Sequence, residues 1–194
     1  LESGRPFPPL DLPDVRSLRP KLFKRGAVLE IEELFHLGRF VVSCARLKRH
    51  LAAAGEPLLE PLASRLPELK DLSRAVFAVI DREGQVREEH IPVLKELRER
   101  IRRVQRETER LAREFLSNPD YRTFWQGELP GQRDGRTVLP LRSNFKGRIA
   151  GIVHDVSSSG STLYLEPQEM VERNNEIAEL EGRYRQELHR ILRE

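Results

Sequence analysis

Residues 91–117, IPVLKELRERIRRVQRETERLAREFLS, decide the fold class. Leu94, Leu97, Ile101, Val104, Thr108, Leu111 and Phe115 step by 3, 4, 3, 4, 3 and 4, an unbroken heptad seam. A helix of this length spans ~40 Å at the usual rise per residue. Its other face carries Arg98, Arg102, Arg103, Arg106, Arg110 and Arg113 among Glu96, Glu99, Glu107, Glu109 and Glu114. These arginines could track a polyanion's backbone, but spacings such as Glu99 to Arg103 and Glu109 to Arg113 favour a solvated, salt-bridged surface. One narrow apolar stripe on so charged a helix requires a partner helix.

That partner lies downstream. Pro167 fits the first position of a second long helix, and Ile177, Leu180, Tyr184, Leu188 and Ile191 form its stripe. Between the two helices the pattern changes. Gly127, Pro130, Gly131, Gly135, Pro140, Gly147, Gly151 and Gly160 punctuate residues 127–167. Three strand-like runs lie among them: Thr137–Leu141, Arg148–Val153 and Thr162–Leu165. Ser143–Gly147 and Val156–Ser161 read as hairpin turns. The order of long helix, β insert and long helix predicts an antiparallel coiled-coil arm with a small antiparallel β module at its tip.

Upstream, Pro6, Pro8, Pro9 and Pro13 predict an extended leading segment. Asp14 caps a short helix to about Lys24, ended by Gly26. Leu34, Leu37, Val41, Ala45, Leu47 and Leu51 mark a helix over 31–54, stopped by Gly55 and Pro57. A short helix over 58–66 breaks at Pro67, and Leu69, Leu72, Ala75, Val76, Val79 and Ile80 mark another, ended by Gly84. The expected fold is mainly α and elongated. Its expected parts are a helical core or lever (1–90), an ascending coiled-coil helix with a junction (91–126), the β module (127–167) and a returning helix (168–194).

Composition agrees. Of 194 residues, 38% are apolar and 34% charged, which disfavours a compact, deeply buried globule. The longest uncharged apolar run, Ala75–Ile80, is far short of the ~20 residues of a membrane span. The single Cys44 excludes an internal disulfide framework and suits a reducing compartment, and no secretory signal is present. Cys44 itself reads as a buried small apolar residue. The chain's only Met is Met170, and it ends in helical rhythm at Arg190–Glu194, so it is expected to be a piece of a larger protein.

Charge is unevenly placed. Residues 133–154 hold Arg133, Arg136, Arg142, Lys146 and Arg148 against Asp134 alone, whereas residues 168–194 have five Arg against seven Glu. A basic tip on a long arm suits a polyanion, bound through phosphates in a salt-sensitive and largely sequence-independent manner. The alternative is that the strands and turns expose cations for solubility. Phe145 is the only aromatic in the basic run, so there is no stacking platform for bases.

Catalytic signals are weak. His154-Asp155 with Ser157-Ser158-Ser159 lacks a nucleophile elbow, so Asp155 and the serines read as turn formers. No residue is assigned a catalytic role. Gly151 to Gly160 fits neither the phosphate-loop nor the dinucleotide spacing. One Cys and five scattered His supply no metal-ligand spacing, and neither metal nor cofactor is assigned to this chain. Phe124 and Trp125 are placed at the junction of stem and tip. Asn174-Asn175 read as local hydrogen-bonding residues.

The β module resembles a known family. The residues that carry this are Arg133-Asp134-Gly135-Arg136, Val138-Leu139-Pro140-Leu141, Gly147 through Asp155, Ser157 through Pro167, Val171-Glu172 and Asn174-Asn175-Glu176. They are similar, in order, to the second branch of the bacterial MutS family, the type-two endonuclease MutS proteins. Leu12-Pro13-Asp14-Val15-Arg16 and residues 26–33 are similar more weakly. Thr137 stands where an aromatic is usual, Arg142 where Lys is more usual, and residues 124–132 are less typical. The resemblance implies a dimeric MutS-like clamp, in which core and lever helices lead to a clamp and return to an ATPase domain that uses ATP and magnesium. A nuclease domain of the Smr type follows, and the mismatch-reading domain is absent. It further implies action on branched or duplex DNA in suppressing homologous recombination, or on ribosomes and their RNA in rescuing collisions. A bacterial cytoplasmic setting at the nucleoid or ribosome follows. This chain would hold part of the core, the lever and the clamp, with neither the ATPase nor the nuclease. By position only, the resemblance points to Arg133, Arg136, Arg142, Lys146 and Arg148 as backbone contacts. The competing reading is a lever and dimerisation arm without direct nucleic-acid contact.

Overall fold

A computed structural model of the chain describes residues 7–193. Pro6 of the expected extended segment lies outside them; residues 7–15 carry no helix or strand. The described residues are mainly α, with six α-helices and one four-stranded antiparallel sheet. None of these helices is long and apolar enough to cross a membrane. Two compact units form: Val93–Leu188, and the chain on either side of it.

The unit before Val93 follows its local signals. A 3-10 turn (Arg16–Leu18) runs into helix α1 (Arg19–Leu22). Asp14 Oδ1 accepts the Arg16 backbone N–H at 3.0 Å, and Gly26 at φ +79° ends the segment. Helix α2 (Ile31–Ala53) begins where Glu33 Oε2 accepts the Glu30 N–H at 2.9 Å. The short α3 (Glu60–Arg65) follows, then α4 (Lys70–Val79). Gly38 lets α4 lie close against α2, because a Cβ there would meet Val76 Cγ1 at 2.8 Å. The leading segment is tied along α2, with Ser43 Oγ donating to the Asp11 carbonyl at 2.6 Å. Cys44 is buried, and desolvation pushes its thiol pKa up.

In the Val93–Leu188 unit, helix α5 (Pro92–Ser117) leads to a 3-10 turn (Arg122–Phe124), strands β1 (Gly131–Arg133), β2 (Arg136–Arg142), β3 (Gly151–Val156) and β4 (Thr162–Pro167), and helix α6 (Gln168–Ile191). The ion pair from Arg100 Nη2 to Glu176 Oε1 (2.6 Å) and the Arg98 guanidinium 4.3 Å from the Tyr184 ring centroid join α5 to α6. Contacts ascend one helix as they descend the other, so the two run antiparallel.

The buried positions of α5 depart from the heptad seam. Leu94, Leu97, Ile101, Val104 and Thr108 are buried as expected, but Ala112 and Leu116 then take over from the half-buried Leu111 and Phe115. The last turns of α5 pack on the sheet. Ala112 and Leu116 join Trp125, Leu139, Leu141, Leu163, Leu165 and Met170 in one core. A helix of 3.6 residues per turn drifts from a strict heptad repeat, and the new partner sets which residues point inward. On α6, Leu188 and Ile191 of the expected stripe are only half-buried.

The sheet also corrects the reading of the sequence. Its order is β1-β2-β4-β3. Ser143–Gly147 is therefore not a hairpin turn; it opens the crossover from β2 to β3, which flank β4 on opposite sides. The second run begins at Gly151 instead of Arg148, because Arg148 N–H closes a tight turn on the Phe145 carbonyl (3.0 Å). The fourth strand, β1, had no expectation. Its signal was Asp134-Gly135, with φ of 48° and 76°, a two-residue turn joining β1 to β2. Val156–Ser161 does contain the expected hairpin turn, between β3 and β4.

Candidate nucleic-acid interface

The five basic residues singled out from the sequence separate into two groups. Arg133 and Arg136 lie within the β module's own bonding. Arg133 Nε donates to Asp155 Oδ2 at 2.7 Å, Nη1 donates to the Gln132 carbonyl at 2.7 Å, and the guanidinium carbon sits 3.5 Å from the Tyr164 ring centroid. These bonds hold the Asp155 carboxyl below the ordinary range, the Arg133 contact first and the Val156 N–H second. Asp155 is thus a strand residue with a fixed partner and not a turn former.

Arg136 belongs to a buried network. Its Nη1 donates to Glu166 Oε1 at 2.6 Å and its Nη2 to Asn175 Oδ1. Glu166 is wholly inaccessible to solvent. Its Oε1 also accepts from Asn174 Nδ2 (2.7 Å), and its Oε2 meets His154 Nε2 (2.5 Å). A buried carboxylate is tolerated only when so satisfied. His154 reaches it because it is the extra residue of a β-bulge: Val153 pairs with Leu165 and Asp155 with Tyr164, leaving His154 between. Asn174 is not a local hydrogen-bonding residue, since it joins α6 to β2 and β4. The missed signal was phase: Met170, Asn174 and Ile177 continue the apolar stripe of α6 backward, and a lone polar residue on a stripe marks a register device.

Arg142, Lys146 and Arg148 are exposed. Arg142 Nε donates to the Trp125 carbonyl at 3.1 Å, which directs the guanidinium without neutralising it. Lys146 and Arg148 have no side-chain partner among the described residues. The loop that carries them is nonetheless anchored. Phe145 stacks on Phe124 (centroids 4.3 Å apart, planes at 19°), and Phe145 and Ile149 both pack on the core cluster. Gly147, at φ +80°, makes the turn between them. Trp125 is buried and donates its indole N–H to the Phe115 carbonyl at 3.0 Å, so Phe124 and Trp125 do tie the end of α5 to the sheet.

Among the described residues no group of three or more His, Cys, Asp or Glu is placed to hold a metal ion. The Ser157–Ser161 loop closes a hairpin and enters a strand, so it does not fit a nucleotide's phosphates as a loop opening a helix would. What the module offers chemically is fixed positive charge on an anchored loop.

No family model matches the chain. It is similar to "Endonuclease MutS2" of Thermotoga neapolitana, 35% identical over 187 residues, 96% of this chain and 24% of the relative. The protein of that name in Thermotoga petrophila is 34% identical over 171 residues, 88% of this chain and 22% of the relative. That of Symbiobacterium thermophilum is 33% identical over 192 residues, 98% of this chain and 24% of the relative. The chain spans about a quarter of the length of the curated relatives it matches. Sequence similarity sustained over most of its own length places the chain in the MutS2 family, the second bacterial MutS branch.

Proposed function

We propose that the chain is a clamp-and-lever segment of a MutS-like ATPase, and that its β module holds nucleic acid by the phosphate backbone through Arg142, Lys146 and Arg148. The observation that carries this reading is the loop between Phe145 and Ile149, whose ends are packed inward while Lys146 and Arg148 face solvent without a side-chain partner among the described residues. Cations held by an anchored loop lose little conformational freedom on meeting a phosphate. In this reading α5 and α6 form the antiparallel coiled-coil stem, supported by the Arg100–Glu176 pair. Branched DNA acted on in suppressing recombination, or ribosomal RNA at collided ribosomes, would be the ligand. Nucleotide hydrolysis and nuclease chemistry would belong to other parts of a dimeric parent protein.

The internal pairs of Arg133 and Arg136 favour a second reading, in which the module is the rigid end of a lever and touches no nucleic acid. Fluorescence anisotropy with a four-way DNA junction, a plain duplex and a structured RNA, at two salt concentrations, separates the two. Salt-sensitive binding that weakens about tenfold in Arg142→Ala/Lys146→Ala, with a shallower salt slope, supports the clamp. Binding that this double variant leaves unchanged removes both residues from the contact. No binding to any ligand at low salt supports the lever.

A further inference from the structure

A cavity of about 570 Å³ opens between the end of α5 and the end of β2, lined by residues of the Val93–Leu188 unit. Three arginines from three separate elements line it: Arg113 from α5, Arg122 from the 3-10 turn and Arg142 from the end of β2. Glu128 is the only carboxylate in the lining. Ser117, Gln126 and the backbone at Gly127 supply further polar groups.

The three guanidinium groups are available. Arg122 has no side-chain partner among the described residues. Among the described residues Arg113 meets only Glu109, four residues back on its own helix, at 3.7 Å and in full view of solvent. Such an exposed pair contributes little and yields readily to a better anion. Arg142 is oriented by the Trp125 carbonyl through Nε, which leaves both terminal nitrogens unbonded among the described residues. The α5 C-terminus also faces this region and carries partial negative charge. The Phe115 carbonyl at that end is already occupied by the indole N–H of Trp125, so it does not draw on the arginines. A planar fork of donors from each of several sides suits a tetrahedral oxyanion.

We infer that the groove lined by Arg113, Arg122 and Arg142 is a phosphate-binding site that seats a backbone phosphate of the nucleic acid held by the β module. It rests on the clamp reading for its ligand, and it extends the contact surface from the Phe145–Ile149 loop onto α5. In the sequence Arg113 belongs to a face read as salt-bridged and Arg122 to the junction, so neither is among the five basic residues assigned to the tip.

Trp125 is the chain's only tryptophan and lines the groove, so its emission reports occupancy. The test titrates the wild-type chain and Arg113→Ala/Arg122→Ala with a duplex DNA at about 50 and about 200 mM salt, reading anisotropy of the DNA and Trp125 emission. Inorganic pyrophosphate is titrated in parallel. Both arginines are exposed, and circular dichroism checks that the variant is folded. The expected result is a saturable Trp125 response to both ligands, lost in the variant. Duplex affinity falls about tenfold, and the salt slope becomes shallower by about one. Wild-type binding of duplex with flat Trp125 emission, and equal affinity in the variant, overturns the groove while leaving the clamp reading intact. If the wild type binds neither the duplex nor a four-way junction nor a structured RNA at the lower salt, the clamp reading fails and the pyrophosphate arm decides. A saturable response abolished by the variant then supports a site for free phosphate chemistry, and a flat trace overturns the site.

Discussion

The side-chain amide of Asn174 pairs with the backbone of Thr137 on both sides: Oδ1 accepts the Thr137 N–H and Nδ2 donates to the Thr137 carbonyl, each at 3.1 Å. The reason lies in the sheet. Continuing the β2–β4 register past Leu139 and Leu165 brings Thr137 opposite Pro167, which has no N–H. The strand ends there and α6 begins. Asn174, two turns into the helix, supplies the donor and acceptor that the next strand residue would have supplied. The same Nδ2 also reaches Glu166, so one buried amide joins the helix, the strand edge and the charged network.

Asn174→Ala leaves the Thr137 N–H and carbonyl unpaired and removes one donor from Glu166. Each unsatisfied buried group costs about 1–3 kcal/mol, so a loss of about 3 kcal/mol or more is expected in urea unfolding. Asn174→Asp conserves shape but supplies no donor and adds a carboxylate beside Glu166. It should be at least as destabilising at neutral pH. A near-native midpoint for either variant would contradict the role assigned to the amide.

Gly151 is required by close approach. A Cβ there would sit 2.2 Å from the Glu166 carbonyl oxygen, a backbone atom that cannot swing away. Gly151→Ala should therefore separate β3 from β4 and cost at least about 2 kcal/mol. Gly127→Ala is the control, because its nearest neighbour would be Pro140 Cγ at 3.8 Å. Its expected effect is within about 0.5 kcal/mol. Thermal melts of the two variants side by side check the contrast.

Acid should weaken the β module partly through Asp155. Its folded carboxyl lies below the ordinary value of 3.8, held there by Arg133 and by the Val156 N–H. The unfolded chain takes up that proton at the higher pH. The contribution is therefore present above about pH 4 and is lost as pH falls through the lowered folded value. Asp155→Asn should show a smaller fall in Tm between pH 5 and pH 2 than the wild type. Asp14, which hydrogen bonds from Arg16 lower to about 2, titrates identically in both proteins and cancels from the comparison. Parallel Tm curves would show that the Arg133–Asp155 pair adds nothing to the acid limb.

The helices were legible from the chain because their signals are local. The stripe over 31–54 became α2, ending at Ala53, and the run over 91–117 became α5. Periodicity, glycine and proline stops act within a turn or two, so no distant partner is needed to read them. The same holds for the β3–β4 turn and for the two-residue turn at Asp134-Gly135. The MutS-branch resemblance was legible for a related reason: its blocks lie close together between Arg133 and Glu176, and their order is itself the evidence.

The tertiary structure alone decided which strands are neighbours, which face of α5 is buried at its end, and which cations are free. Strand order depends on pairing between residues tens of positions apart, and hydrophobic runs of similar length do not encode it. Ala112 and Leu116 turned inward because the sheet, not the partner helix, covers that end of α5. Arg136 and Lys146 carry the same formal charge in the sequence. One meets Glu166, thirty residues on and fully buried, while the other stands on a loop that its neighbours Phe145 and Ile149 hold outward. An ionic side chain's role is set by what lies within a few ångströms of it, and only the folded chain brings those groups together.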